Sequence, residues 1–385
     1  MHVAVVGGGV IGLLTAVECT LAGHRVTLVE QDALPSPSAT SFDRHRMLRA
    51  LHVGDRARTV AAVRAHHRWV ELERILLRRF YDRVGALTGL PRDTLPEALS
   101  TLWNSGARAR VLDPDALKRD YPHLSFGQAH AVLEDTAGVL LANRVLTACV
   151  DWLKAQPQVT LRPHTRATRV DPDLPAVRLA DGSTVRADGL VAAAGPWSPA
   201  LVDDPDGRRL RLHRQSVLYC TIPATTPAAD QRRWAATPAV PSLATPTGAW
   251  LVPPVAGTPL KLSASSACRV VDEVTDRDTA PHWLAHLIEV FADAVPGFDG
   301  RWVSVARDAY YLADIDAAGG TVVPLGPRAI AFTACGGGSF KFAPNIARSL
   351  VGHIDSECTA ADPELAPAAV GPSPERNAGR EAVGA

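Results

Sequence analysis

The sequence predicts a two-domain α/β (α+β) protein, and three observations carry that prediction. The first thirty residues read as strand, glycine-rich turn, helix and strand. Short, largely apolar runs recur at 190–194 and 329–334. Between them, from about 213 to 307, the pattern changes to longer alternating strands with Pro-rich loops. Continuous apolar runs suit a parallel sheet covered on both faces, whereas alternation suits a sheet with one solvated face. At 385 residues the chain is also too long for one typical core.

The first unit is the most informative. Residues 3–6 are β-branched or small and fully apolar, as in a buried strand. Gly7, Gly9 and Gly12 then fill a G-x-G-x-x-G pattern, and 13–21 follows with helical spacing. Gly7 permits the tight turn, Gly9 lets a pyrophosphate approach the backbone, and Gly12 lets helix and strand pack closely. The helix N-terminus presents free N–H groups to an anion. A second strand, Arg25–Val29, ends in Glu30, an acid placed to accept hydrogen bonds from a ribose. A glycine-rich surface turn would explain neither Glu30 nor the βαβ length. The unit is therefore Rossmann-like and dinucleotide-binding, although it does not choose between NAD and FAD.

The remaining elements follow in order. A Pro/Ser-rich loop covers 34–41, and the basic stretch FDRHRMLRALH comes next. A helical region is expected over 56–81, mixed short elements over 82–135, and a helix over 143–155. Then come the strand Val159–Arg162, a hairpin turning at Gly182, a helix over 282–294 and a last helix over 345–353. The expected division is 1–81, 136–212 and 308–356 for a discontinuous cofactor domain. The second, mainly β-sheet domain takes 82–135 and 213–307. Residues 357–385, rich in Ala, Pro, Gly and charge, read as a disordered tail.

Composition excludes several classes. Forty basic and forty acidic residues cancel, so nothing steers the chain to nucleic acid or an anionic membrane. Six scattered cysteines form no C-x-x-C pair, which argues against metal or disulfide frameworks and for a reducing cytoplasm. The first residues read as a strand rather than a signal peptide, and no apolar run approaches a membrane span. His282 and His286 are spaced i, i+4 but lack an acid or cysteine companion, so no metal is expected.

Four separated segments occur in one order: GGGVIG with Glu30, DRHRMLRALH, VAAAGPWSPALV and CGGGSFKFAPNIARSLVG. This set resembles the D-amino-acid oxidase superfamily of flavoproteins, within it the monomeric sarcosine oxidase and N-methyltryptophan oxidase group, over about residues 1–355. The resemblance implies a noncontiguous FAD domain, a second domain with a large β-sheet, and a monomer that oxidises an amine C–N bond with its flavin. It implies that Arg46 lies beside the flavin ring, and that Arg49 and Lys341 bind the substrate carboxylate. An Arg fork and a Lys point charge are suited to clamp one carboxylate. Cofactor contacts are implied for Val10, Ile11, Gln31, Ser41, Met47, Ala167, Ala194, Gly195, Trp197, Gly337, Gly338, Ser339 and Phe340, besides Gly7, Gly9, Gly12, Glu30, Arg46 and Lys341. The N-terminus of the last helix would face the electron-rich end of the ring. Lys261, in TPLKLSAS, matches a lysine that the family uses to activate oxygen, where a cation stabilises developing charge.

Departures from the family pattern matter too. The stretch RDAYYLADID carries Ala309 where the relatives tether FAD through a cysteine, so noncovalent FAD is expected. Trp250 and Ser265 stand where the sarcosine enzymes have tyrosine and histidine. Trp250 is thus a substrate-pocket residue, and with Pro253 and Pro254 it suggests an apolar pocket for a cyclic or aromatic amino acid, so that a secondary or cyclic amino acid other than sarcosine is favoured. Plainer readings exist. Arg46 and Arg49 could be exposed arginines on a helix face, Trp197 could be core, and Lys261 could solvate a strand edge. The function expected is an FAD-dependent oxidase of an amine or amino acid that makes an imine and H2O2 from O2, a chemistry compatible with specialised metabolism. The alternative is an FAD-dependent dehydrogenase of an amine or 2-hydroxy acid with a non-oxygen acceptor. A flavin-binding protein with decayed catalysis is a third, and retention of Arg49 and Lys341 speaks against it.

Overall fold

The apolar run at the start of the chain becomes the middle of a six-stranded sheet. The structure, a computed structural model, describes residues 1–202, 209–316 and 319–356. Strand β1 (His2–Val6) pairs in parallel with β2 (Arg25–Val29) on one side and Gly189–Ala192 on the other. Val159–Arg162 closes one edge, while Ala329–Ala334 and then antiparallel Thr321–Gly326 close the other. Val3 and Val5 join the core under the helices, and Ala4 and Val6 join the core under a three-stranded antiparallel sheet, 167–186. Both faces of β1 are covered, which is why the run shows no polar alternation.

Helix α1 (Val10–Leu21) lies against the helices Ala142–Lys154 and Ala343–Asp355, and the latter also packs on Arg56–Ile75. The helix expected over 56–81 stops at Ile75. Glu73 accepts hydrogen bonds from the N–H groups of Phe80 and Tyr81, pulling the chain back into the short strand Tyr81–Asp82. The strand expected over 190–194 stops at Ala192, because Ala194 and Gly195 leave the sheet for a short 3-10 helix. Other predicted ends shift by one to three residues. The tail expected at 357–385 lies outside the described residues.

A second, nine-stranded sheet runs in space from Cys268–Val271 through Leu210–Cys220, Leu260–Ala264, Ala249–Val252 and Ala239–Ser242. It continues to Ala86–Leu90, His130–Glu134 and Arg110–Leu112, with Val303–Asp314 paired on Leu210–Cys220. Its core includes Leu218, Leu251, Leu262 and the inner face of helix Pro281–Ala294. Arg46–Leu48 and Tyr81–Asp82 flank Gly138–Leu140 in a small third sheet. Among the described residues no helix is long and apolar enough to cross a membrane.

The turn between β1 and α1 is the tightest point of the fold. Gly7 adopts φ of +107°, and a Cβ there would meet Ala193 O at 2.3 Å. A Cβ on Gly12 would lie 1.9 Å from Gly7 O, so the helix can approach the turn only without one. Gly12→Ala should therefore destabilise the protein by about 1–3 kcal/mol, as overpacking does. Urea unfolding of the flavin-free protein measures this, and unchanged stability would mean that the turn can yield.

Candidate functional site

One cavity of about 1580 Å³ runs between the two large sheets. Sites for a single small ligand usually span about 300–1,000 Å³, so this one has room for a dinucleotide and a second molecule. Every residue expected in the site lines it except Gly12, which is spent on packing. Gly7, Gly9, Val10, Ile11, Glu30, Gln31 and Ala167 form one wall. Ser41, Met47, Ala194, Gly195, Trp197, Gly337, Gly338, Ser339 and Phe340 also border it. Arg46, Arg49, Trp250, Lys261 and Lys341 complete the set.

At the nucleotide wall, Gly8 N–H donates to Glu30 Oε2 at 2.6 Å and Asp32 N–H donates to Oε1 at 2.9 Å. The carboxylate is thus fixed, with acceptor capacity to spare on both oxygens. Val10 N–H donates to Ser41 Oγ at 3.1 Å, while the N–H groups of Gly9 and Ile11 have no acceptor among the described residues. Two free donors at a helix start form an anion site. Among the described residues, six of the ten buried side-chain polar atoms without a partner belong to residues on the cavity wall: Arg46 Nε, both His45 ring nitrogens, Thr88 Oγ1, Asn143 Oδ1 and Thr333 Oγ1. Buried polar atoms are normally satisfied, so such a cluster fits a polar ligand.

The loop after β2 is tied on both sides. Ser41 holds α1, Thr40 Oγ1 donates to Tyr310 O, and Arg277 donates to Ser38 O. Asp43 receives Lys261 Nζ, Tyr219 OH and Arg46 Nη2, the last at 3.1 Å. Arg46 sits on a strand and Arg49 in the loop after it, not on a helix face. Lys261 is not at a sheet edge: its strand lies between Leu210–Cys220 and Ala249–Val252, and the residue is 2% exposed. Its ammonium lies over the rings of Tyr219 and Trp250 at 5.7 and 5.8 Å, within cation–π range. His45 is fully buried beside it, and burial first, then Lys261, pushes its imidazole down to about 4. It is neutral at neutral pH.

Arg49 and Lys341, about 290 positions apart, converge on the same wall. Trp69 stacks on Phe340 and donates from Nε1 to Lys341 O at 2.9 Å, which pins the Lys341 backbone. His52 Nδ1–H donates to Ala50 O at 2.8 Å, leaving Nε2 to accept from Lys341 Nζ at 3.1 Å. Burial first, then Lys341, Arg49 and Arg58, hold His52 well below the ordinary histidine value. Glu134, buried beside Arg49 and Lys341, accepts the N–H groups of Ala50 at 2.8 Å and Leu51 at 3.2 Å. Asp43, His45, His52, Tyr219 and Glu134 were missed by sequence reasoning. The first three lie inside the quoted basic stretch, where two histidines and an acid among arginines are a usable signal. Tyr219 and Glu134 arrive through strand pairings that nothing local announces.

The family model for FAD dependent oxidoreductases, DAO, matches residues 2–352. The chain belongs to this FAD-dependent family. The unbonded N–H groups of Gly9 and Ile11, Glu30 and the polar wall fit a dinucleotide such as FAD. The human peroxisomal sarcosine oxidase is 24% identical over 222 residues, 56% of this chain and 55% of its own. The monomeric sarcosine oxidase of Arthrobacter sp. (strain TE1826) is 23% identical over 207 residues, 52% of each chain. The chain spans about half the length of the curated relatives it matches. Among solved structures, NikD, an unusual amino acid oxidase essential for nikkomycin biosynthesis, superposes with TM-score 0.78 at 20% identity, covering 95% of this chain and 96% of its own. Amadoriase I of Aspergillus fumigatus gives 0.73 at 16% identity, covering 94% and 88%. Both share the fold.

Since His52 holds Lys341 through a bond to a charged group, its loss should be felt by any carboxylate ligand. Such bonds contribute about 1.5–3 kcal/mol, so His52→Leu should weaken small carboxylates about tenfold or more, read from perturbation of the flavin spectrum. The neutral His52 also predicts that carboxylate binding by the native protein has no inflection near pH 6.5 from this residue.

Proposed function

We propose that the chain is an FAD-dependent oxidase of an amino acid or carboxylate-bearing amine, with a secondary or cyclic amino acid favoured. The observation that carries this reading is the convergence of Arg49 and Lys341 on one cavity wall. Two cations held by His52, Glu134 and Trp69 form a ready anchor for a carboxylate. Trp250 supplies a flat apolar wall, consistent with a ring-bearing substrate. The amine carbon would then be fixed by the anchor, and orientation is the main service such a site renders.

Bound FAD would supply two-electron oxidation of the C–N bond, with O2 as the final acceptor and imine and H2O2 as the products. Lys261 places a buried positive charge at that wall, which favours reduction of oxygen over use of another acceptor. The relatives named for sarcosine and amino acid oxidation agree with amine chemistry. Ala309 lines the cavity where a tether would have to stand, so FAD is bound without a covalent link. The free thiols of Cys19, Cys149, Cys220, Cys268 and Cys335 fit a reducing compartment, and we place the protein in the cytoplasm as a monomer.

Acid precipitation should release all flavin into the supernatant; yellow colour in the washed pellet would require another anchor. A screen of amino acids under air should find one that bleaches the flavin anaerobically and yields H2O2 aerobically. For that substrate, Arg49→Lys keeps charge but loses the fork, and Lys341→Met loses charge. Each should raise KM at least tenfold, and the double variant should lose less than the product of the two because they share one ligand. A decarboxylated amine that proves the better substrate would end the amino-acid reading.

A further inference from the structure

We infer that Asp43 is a positioning residue that keeps the Lys261 ammonium charged and fixed at the cavity wall. The inference rests on the reading of Lys261 as the group that meets oxygen, and it gives a role to Asp43, which the family resemblance left without one. The ammonium has left water entirely, in a strand whose neighbours Leu260 and Leu262 are also buried. A buried lysine tends to shed its proton. The groups facing it from each packed element are Arg46 and His45 from the small third sheet and the loop before it, and Tyr219 and Trp250 from the flanking strands. Arg46 is positive, and His45 and Tyr219 are neutral. Asp43 is the one negative group acting on Lys261 among the described residues.

The carboxylate itself cannot swing away. Oδ2 takes Lys261 and Arg46, and Oδ1 takes Tyr219 OH and the Arg44 N–H at 2.6 Å. Burial works against its charge, yet Arg46 and Lys261 outweigh that and hold it well below the usual carboxylate range. Burial likewise lowers Lys261, to about 8, with Arg46 adding to the fall and Asp43 resisting it. With Asp43 ionised, the trio of Asp43, Lys261 and Arg46 carries one positive charge below that value and none above it.

Composition supports a role that needs lysine in particular. Of 40 basic residues only four are lysine: Lys118, Lys154, Lys261 and Lys341. Lys118 and Lys154 are exposed, and the other two line the cavity. Half of this chain's few lysines thus stand at the cavity, and a lysine, unlike an arginine, is a compact charge that can lose its proton when buried.

The scarcity of lysine makes the test direct. Protein labelled at lysine side chains gives four signals, and Lys261→Met identifies the one of interest. In the oxidised native holoenzyme the Lys261 signal should titrate near pH 8. In Asp43→Asn it should titrate at least one pH unit lower, a tenfold loss of proton affinity. Stopped-flow reoxidation of the reduced holoenzyme should fall as pH rises through about 8 in the native protein, and from a unit lower in Asp43→Asn. An unshifted Lys261 signal in Asp43→Asn overturns the inference. So does a native Lys261 that titrates at the ordinary lysine value of about 10.4, a check that needs no Asp43 variant to fold. A shifted signal without a shifted reoxidation profile overturns it too, since Asp43 would then be structural only. If Lys261→Met leaves reoxidation as fast as in the native enzyme, the oxygen reading of Lys261 fails, and the inference with it. That outcome is told apart by the variant that produces it.

Discussion

The cavity depends on burying positive charge without letting it escape as a lost proton. Two lysines face inwards, and each region has its own arrangement for this. Lys261 is matched by Asp43, a full opposite charge. Lys341 is matched by a neutral imidazole, with the buried Glu134 nearby. The difference is chemically sensible. A full counterion fixes the charge of the fully buried Lys261, whereas the less buried Lys341 has a neutral acceptor in His52. Removing one member of such a buried pair is far costlier than never having made it, because the survivor stays desolvated.

These arrangements link the halves of the molecule. Asp43 comes from the loop leaving the cofactor sheet, and Lys261 and Tyr219 come from the nine-stranded sheet. Glu134 belongs to the second sheet and accepts the N–H groups of Ala50 and Leu51, in the loop that leaves the small third sheet. Polar contacts that are fully satisfied specify one arrangement of two layers more sharply than apolar contact alone, since a small slide leaves charges unpaired. The cavity walls are held in register by the same groups that give the walls their charge.

Much of the fold was legible. β1, α1 and β2 follow from an apolar run, three glycines and an acid, all within thirty residues, because a βαβ unit is local. Both wall cations, Arg49 and Lys341, were legible as residues, but only through family resemblance; nothing in their own neighbourhoods says that they meet. The end of the helix at Ile75 was not legible, because Glu73 stops it by capturing N–H groups seven and eight residues on. The interior position of Lys261 is not legible either, because a five-residue strand does not disclose its neighbours. Tyr219 and Glu134 were invisible for the same reason: their positions are set by pairings with Lys261 and Ala86 that span tens of residues.

The loop from Ser36 to Arg46 carries a consequence for how this scaffold tolerates change. Surface connections usually accept insertions and deletions easily. This one is anchored at Ser38, Thr40, Ser41 and Asp43 to partners on opposite sides of the cavity. Anchors so closely spaced fix the length of chain between them, so a single added or lost residue would break several at once. Change on this frame is therefore easier by side-chain exchange on the facing sheet, as at Trp250 in the strand Ala249–Val252, than by remodelling the loop.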